Sequence, residues 1–118
     1  YNEAFGKLSD AVLTFGVSAE NRPLAEEYLA RVNYALGNFD QALLNIDRSL
    51  AEGVTGSRRY LRGQILQAQE NYEAARTEFE FVIAWSEIFP YPFIEDTQER
   101  YDEVVDLINN PPEEDDGA

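Results

Sequence analysis

At 118 residues, with 44% hydrophobic and 27% charged, the chain has the length and balance of one folded domain rather than of a disordered segment. It holds no Cys and no His, which excludes disulfides, thiolate nucleophiles, Ser-His-Asp triads and the usual zinc sites, and leaves the redox compartment open. The net charge of −14 argues against a nucleic-acid binder, because phosphates require Lys and Arg.

The predicted elements are all helical. Residues 1–15 form a first helix that ends at Phe15-Gly16, with glycine as its cap. Val17 to Arg22 is a connection. A second helix over 22–36 starts with Pro23, whose missing N–H costs nothing in a first turn, and continues with Glu26 and Glu27, which suit the positive end of the helix dipole. Its predicted inward residues are Leu24, Tyr28, Val32, Ala35 and Leu36, and Gly37-Asn38 stops it. A third helix spans 39–52. Gly53 to Gly56 is a turn, with Ser57 as the expected N-cap of a fourth helix over 57–69 that turns Leu61, Ile65 and Ala68 inward. Glu70-Asn71 turns the chain without glycine, with Asn71 expected in the left-handed conformation. A fifth helix covers 72–88 and carries the only tryptophan, Trp85. Phe89-Pro90-Tyr91-Pro92-Phe93 breaks it, since two prolines in three residues cannot continue a helix. A sixth helix, about 93–109, places Ile94, Tyr101, Val104, Val105 and Ile108 on one side, and Asn110-Pro111-Pro112 ends it. The tail EEDDGA has nothing to bury and is expected to be disordered.

One stripe occurs three times. Tyr1, Ala4, Leu8, Ala11 and Val12 share their spacing with Phe39, Ala42, Ile46, Ser49 and Leu50, and with Tyr72, Ala75, Phe79, Val82 and Ile83, at offsets of 38 and 33 residues. Helices of about 14 residues joined by short links pack antiparallel with their neighbours, and a repeat of two such helices is a solenoid unit.

The pattern resembles the tetratricopeptide repeat. The best copy runs from about Pro23 to Gly56 and contains Leu29-Ala30, Leu36-Gly37, Phe39, Ala42, Ile46 and Ser49; the next has Gly63, Tyr72, Ala75, Phe79 and Val82. Small residues at Ala30, Gly63, Ala42 and Ala75 let paired helices approach closely. The turn glycine is missing at Glu70, and Arg59 and Arg62 stand where the family prefers large apolar residues. The resemblance implies an all-α, right-handed helical solenoid of antiparallel helix pairs, about six helices in all. The expected division is a second helix of a partial repeat at 1–16, repeats at 22–53 and 57–88, a capping helix at 93–109 closing a domain over 1–110, and the acidic tail at 111–118. The alternative is another antiparallel bundle with accidental periodicity.

The resemblance also implies a concave groove that binds a peptide or protein segment. Carried across residue by residue, its lining is Leu24, Glu27, Arg31 and Tyr34 from the first full unit, and Ser57, Tyr60, Gln64 and Gln67 from the second. Each of these positions could equally be solvated. Some relatives clamp acidic chaperone C-termini with cations, but those positions here carry Glu27, Tyr28, Ser57 and Leu61, so the clamp is absent. Arg58, Arg59 and Arg62 form a basic patch, which holds an acidic segment, holds the chain's own tail, or is solvated or paired with nearby acids such as Glu26 and Glu27. The FPYPF hinge is either a rigid corner filling the end of the core or an exposed aromatic anchor, and Trp85 is expected in the core. The carboxylates Glu95, Asp96, Glu99, Asp102, Glu103 and Asp106 lack the geometry of a calcium loop and read as a solvated face.

Charge is uneven along the chain. Residues 1–70 carry 9 acids and 7 bases, a net of −2, whereas residues 71–118 carry 14 acids and 2 bases, a net of −12. The second part either steers cationic partners or only maintains solubility. No apolar run approaches the roughly 20 residues that span a bilayer, and no signal peptide is visible. The expected function is therefore a protein-interaction module, not an enzyme, with no metal, cofactor, small-molecule substrate or nucleic acid. Because Tyr1 falls inside a repeat, the chain is expected to be a piece of a larger, bacterial protein, with any upstream anchor left open. The rival expectation is an assembly element that joins a further repeat or a second copy through Phe5, Leu8, Val12 and Phe15 of the first helix.

Overall fold

A computed structural model describes residues 21–112. The predicted helix over 1–15, its apolar face, most of the 17–22 connection and the tail from 113 lie outside the described residues. Within them are five helices and no strand: α1 (Arg22–Ala35), α2 (Phe39–Glu52), α3 (Gly56–Ala68), α4 (Tyr72–Trp85) and α5 (Ile94–Asn109). Each helix packs on its neighbours in sequence, and α1 also touches α3. This is the contact pattern of stacked helix pairs rather than of a closed bundle.

The repeated stripe forms the interior. Ala30, Ala42, Ile46, Leu61 and Ile65 make one buried cluster, with Phe39 and Leu50 packed against it. Leu66, Ala75, Phe79 and Val104 make the second, closed by Tyr72, Tyr101 and Ile108. Each large aliphatic or aromatic side chain so buried contributes about 1.5–3 kcal/mol. The small positions behave as their repeat requires. Ala30 and Ala42 are fully buried within the first cluster. In the second unit a Cβ on Gly63 would collide with the ring of Phe79, which is itself fully buried. The two units thus solve one packing problem differently: Ala with Ile in the first, Gly with Phe in the second.

The predicted inward face of α1 is corrected. Leu24 and Tyr28 are 45% and 47% exposed, and the buried side is Ala25, Glu26, Leu29, Ala30 and Asn33. The polar members are buried because they satisfy one another. Asn33 Nδ2 donates to Asn45 Oδ1, and Asn45 Nδ2 donates to Glu26 Oε2, both at 2.9 Å. At the same places one repeat later, Arg59 donates to both oxygens of the buried Glu78 at 3.0 and 3.1 Å, and Arg62 adds a third bond at 3.0 Å. Ser49, fully buried, donates to the carbonyl of Pro23 at 2.6 Å. Glu26 and Glu27 therefore answer side chains rather than the helix dipole alone.

Three terminal details also differ from expectation. Thr55, not Ser57, caps α3: its Oγ1 accepts from the backbone N–H of Arg58 at 3.2 Å, and Gly56 already lies in the helix. The left-handed residue of the second turn is Glu70, at φ 62°, not Asn71. It stands where Gly37, at φ 81°, closes α1. Finally, α4 stops at Trp85, three residues earlier than predicted, and residues 86–93 form a long corner.

That corner is built of rings. Tyr91 stacks on Phe93 with centroids 5.0 Å apart, and Phe93 stacks on Tyr60 at 4.6 Å. Tyr91 lies so close over Gly56 that no Cβ fits there. Phe89, in contrast, is 60% exposed, so only part of the FPYPF hinge fills the end of the core. Trp85 is half-buried rather than in the core, with its ring 5.8 Å from that of Phe81.

Candidate functional site

The first helices of the pairs, α1 and α3, stand side by side, and α5 follows them. Between them lies a cleft of about 440 Å³ lined by Arg31, Tyr34, Ala35, Ser57, Tyr60, Leu61, Gln64 and Phe93. Five of the eight sequence-predicted groove residues meet here: Arg31, Tyr34, Ser57, Tyr60 and Gln64. The other three are placed elsewhere. Leu24 is exposed outside the cleft. Glu27 is buried, its carboxylate taken by Arg31 and Arg58, each at 2.9 Å. Gln67 is half-buried and accepts from Arg100 at 3.0 Å.

Helix α5 supplies what the sequence reading missed. Tyr60 Oη donates to Asp96 Oδ2 in a short hydrogen bond, and Arg100 Nε donates to the same oxygen at 2.7 Å. Burial first, then the bond to Asp96 and its charge, push the Tyr60 hydroxyl up from 10.0 to about 12. On Asp96 burial works against the charge, but the bonds from Tyr60 and Arg100 outweigh it and hold the carboxyl below its ordinary value. The signal that would have found these residues is the repeat itself: Phe93 follows Tyr60, and Arg100 follows Gln67, by the same 33 residues that separate the repeats. The sequence reading placed Phe93 in the hinge and Asp96 on a solvated face.

The basic patch is accounted for within the chain. Arg58 pairs with Glu27 and donates to the Gly53 carbonyl at 2.7 Å. Arg59 and Arg62 converge on Glu78, and Arg62 also reaches Asp47 at 2.7 Å. Arg59 lies 4.9 Å over the ring of Phe81, which explains how a cation occupies a position the pattern reserves for an apolar residue. Toward the cleft stand the Arg31 guanidinium, which pairs with Glu27 yet keeps a 52% exposed side chain, the Tyr34 hydroxyl, the Ser57 hydroxyl, itself 3.3 Å from Thr55 Oγ1, and the Gln64 amide. Such a set can hold a chain segment by hydrogen bonding and aromatic contact. The four positions of the acidic-terminus clamp carry a buried Glu27, an exposed Tyr28, Ser57 and a buried Leu61, none a cation.

Stacked antiparallel pairs with a concave cleft between first helices define a helical-repeat class. The sequence model of the tetratricopeptide repeat-like domain family matches residues 3–88, most of the chain, and the chain belongs to that family. No curated protein and no solved structure matches it. Domains of this family typically serve as protein-interaction modules rather than enzymes, which directs attention to protein partners. Among the described residues no helix is long and apolar enough to cross a membrane.

Proposed function

We propose that the helix pairs continue as a right-handed solenoid and that the cleft between α1, α3 and α5 binds an extended segment of a partner protein. The carrying observation is that three rings from three different helices or corners, Tyr34, Tyr60 and Phe93, border one cleft that also presents Arg31 and Gln64. The Gln64 amide is suited to bond a peptide backbone, since it donates and accepts at once. The rings offer flat apolar contact for a proline or aromatic side chain, and Arg31 favours an acidic residue beside it. Because the stack and the Asp96 bond fix Tyr60 and Phe93 beforehand, little ordering entropy is lost on binding.

The test is selection of peptides from a random displayed library on the full chain, followed by affinity measurement on Arg31→Ala with Gln64→Ala. Both side chains are at the cleft surface, so far-UV circular dichroism should be unchanged. Selected peptides should bind this variant about tenfold or more weakly, the loss of roughly 1.4 kcal/mol expected for a central contact. Peptides that bind the variant as well as the parent would remove the cleft as the site.

A further inference from the structure

The cleft between α1, α3 and α5 is lopsided in its hydrogen-bonding groups. Arg31 only donates, while the hydroxyls of Tyr34 and Ser57 and the Gln64 amide donate as well as accept. Among the described residues no carboxylate lines the cleft. The carboxylates that touch lining residues are already engaged: Glu27 accepts from Arg31 and Arg58, and Asp96 accepts from Tyr60 and Arg100. The backbones of α1 and α3 bond within their own helices. The surface offered to a ligand is therefore rich in donors and poor in strong acceptors. Its apolar side is a fixed wall. Tyr60 stacks on Phe93 and Phe93 on Tyr91, at interplanar angles of 18° and 10°, and Tyr34 leans on Phe39.

Resting on the reading that this cleft takes an extended segment, we propose that the segment is proline-rich and binds as a polyproline II helix. Such a helix has no internal hydrogen bonds, so its carbonyls are free to accept, and each proline lacks an N–H. It presents acceptors and requires none, which is the complement of this lining. Its pyrrolidine rings suit aromatic faces, and its stiffness suits a wall already set, since neither side loses much freedom on binding. In the complex, Gln64 Nε2 and the Arg31 guanidinium donate to carbonyls, and prolines seat against Tyr34 and Tyr60. A β-like segment presents N–H and carbonyl groups equally, and its N–H groups would find only hydroxyl oxygens and the Gln64 carbonyl. An acidic segment would depend on Arg31, the one cation of the lining among the described residues, whose guanidinium is already 2.9 Å from Glu27.

The probe is a fluorescein-labelled oligoproline of about nine residues, three turns of this helix. It is titrated into the full chain and followed by anisotropy, beside Gly/Ser and Gly/Glu peptides of the same length. Oligoproline should bind at least tenfold more tightly than either, with little change as salt rises. Gln64→Glu keeps the shape of the side chain but sets a carboxylate before the carbonyls. It should leave far-UV circular dichroism unchanged and weaken oligoproline about tenfold. A Gly/Glu peptide that binds as tightly as oligoproline, or Gln64→Glu that binds oligoproline as well as the parent, overturns the proposal. Proline-free library peptides that lose affinity in Arg31→Ala with Gln64→Ala, beside an oligoproline that does not bind, also overturn it and leave the cleft as the site. Oligoproline and library peptides that all bind that variant as tightly as the parent remove the cleft itself, and the proposal with it.

Discussion

Glu70 occupies a backbone conformation that its own repeat assigns to glycine, and replacing it should stabilise the protein. The two turns match bond for bond. Gly37 donates to Tyr34 O at 3.0 Å and Asn38 to Asn33 O at 2.8 Å; Glu70 donates to Gln67 O at 3.0 Å and Asn71 to Leu66 O at 2.9 Å. At φ 62° the Cβ of Glu70 crowds its own carbonyl, at a cost of about 1–2 kcal/mol for an L-residue. A glycine there removes that strain but gives back about 0.5–1 kcal/mol through the greater freedom of the unfolded chain. The exposed Glu70 side chain makes no hydrogen bond or ion pair among the described residues that would be lost. Glu70→Gly should therefore gain about 0.5–1 kcal/mol, or about 2–6 °C in Tm for a domain of this size. Gly37→Ala, at the equivalent turn, should lose a similar amount. Urea and thermal unfolding followed by far-UV circular dichroism measure both. A Glu70→Gly chain no more stable than the parent, beside a Gly37→Ala chain that is destabilised, would refute the argument that conformation alone sets the energy of these turns.

Two further outcomes follow from contacts already described. Gly63→Ala should cost about 1–3 kcal/mol, because the new methyl meets the buried Phe79 ring; Phe79→Ile, which restores the pairing of the first unit, should recover part of that loss in a double-mutant cycle. In an alkaline titration followed by tyrosinate absorbance, Tyr60 should ionise at about 12, and Tyr60→Phe should remove that step. Since its folded value lies above the unfolded 10.0, the stabilisation linked to Tyr60 is complete below pH 10 and disappears as pH rises toward 12. Asp96 has the opposite sense: its contribution is present above the ordinary value of 3.8 and is lost as pH falls through its lower folded value. If Tyr60→Phe leaves both losses unchanged, the Tyr60–Asp96 bond does not couple α3 to α5.

What the sequence revealed depended on how strongly each position is constrained by apolar periodicity. The stripes of α2 and α4, and the small residues facing them, were legible because burial of Ile46 or Phe79 demands one residue type at one spacing. The face of α1 was misread for the complementary reason. Glu26 and Asn33 look solvent-facing, and only their bonds to Asn45 make burial affordable. Those bonds join residues 12 and 19 positions apart, so no local pattern shows them. The cleft was partly legible through the family resemblance. The contribution of α5 was not, since the 86–93 corner is longer than the other links and hides the continuing register of Phe93 and Arg100.

The two polar pairs that face the interior, Asn45 with Glu26 and the part-buried Arg59 with Glu78, carry a consequence for assembly of the fold. Repeats alike in spacing risk joining helices to the wrong partners, α1 to α4 or α3 to α2, with almost the same apolar fit. Here the opposed positions differ in chemistry: Glu26 meets Asn45, and Arg59 meets Glu78. Crossing α1 with α4 would set Glu26 against Glu78, two carboxylates confined without a cation. Crossing α3 with α2 would leave the Arg59 guanidinium before a neutral amide, far from its counter-charge. The interior polar groups thus act as an address system, penalising each wrong pairing while costing the right one little. An array of this kind gives up interchangeable units in return for a single order in which its helices can be assembled.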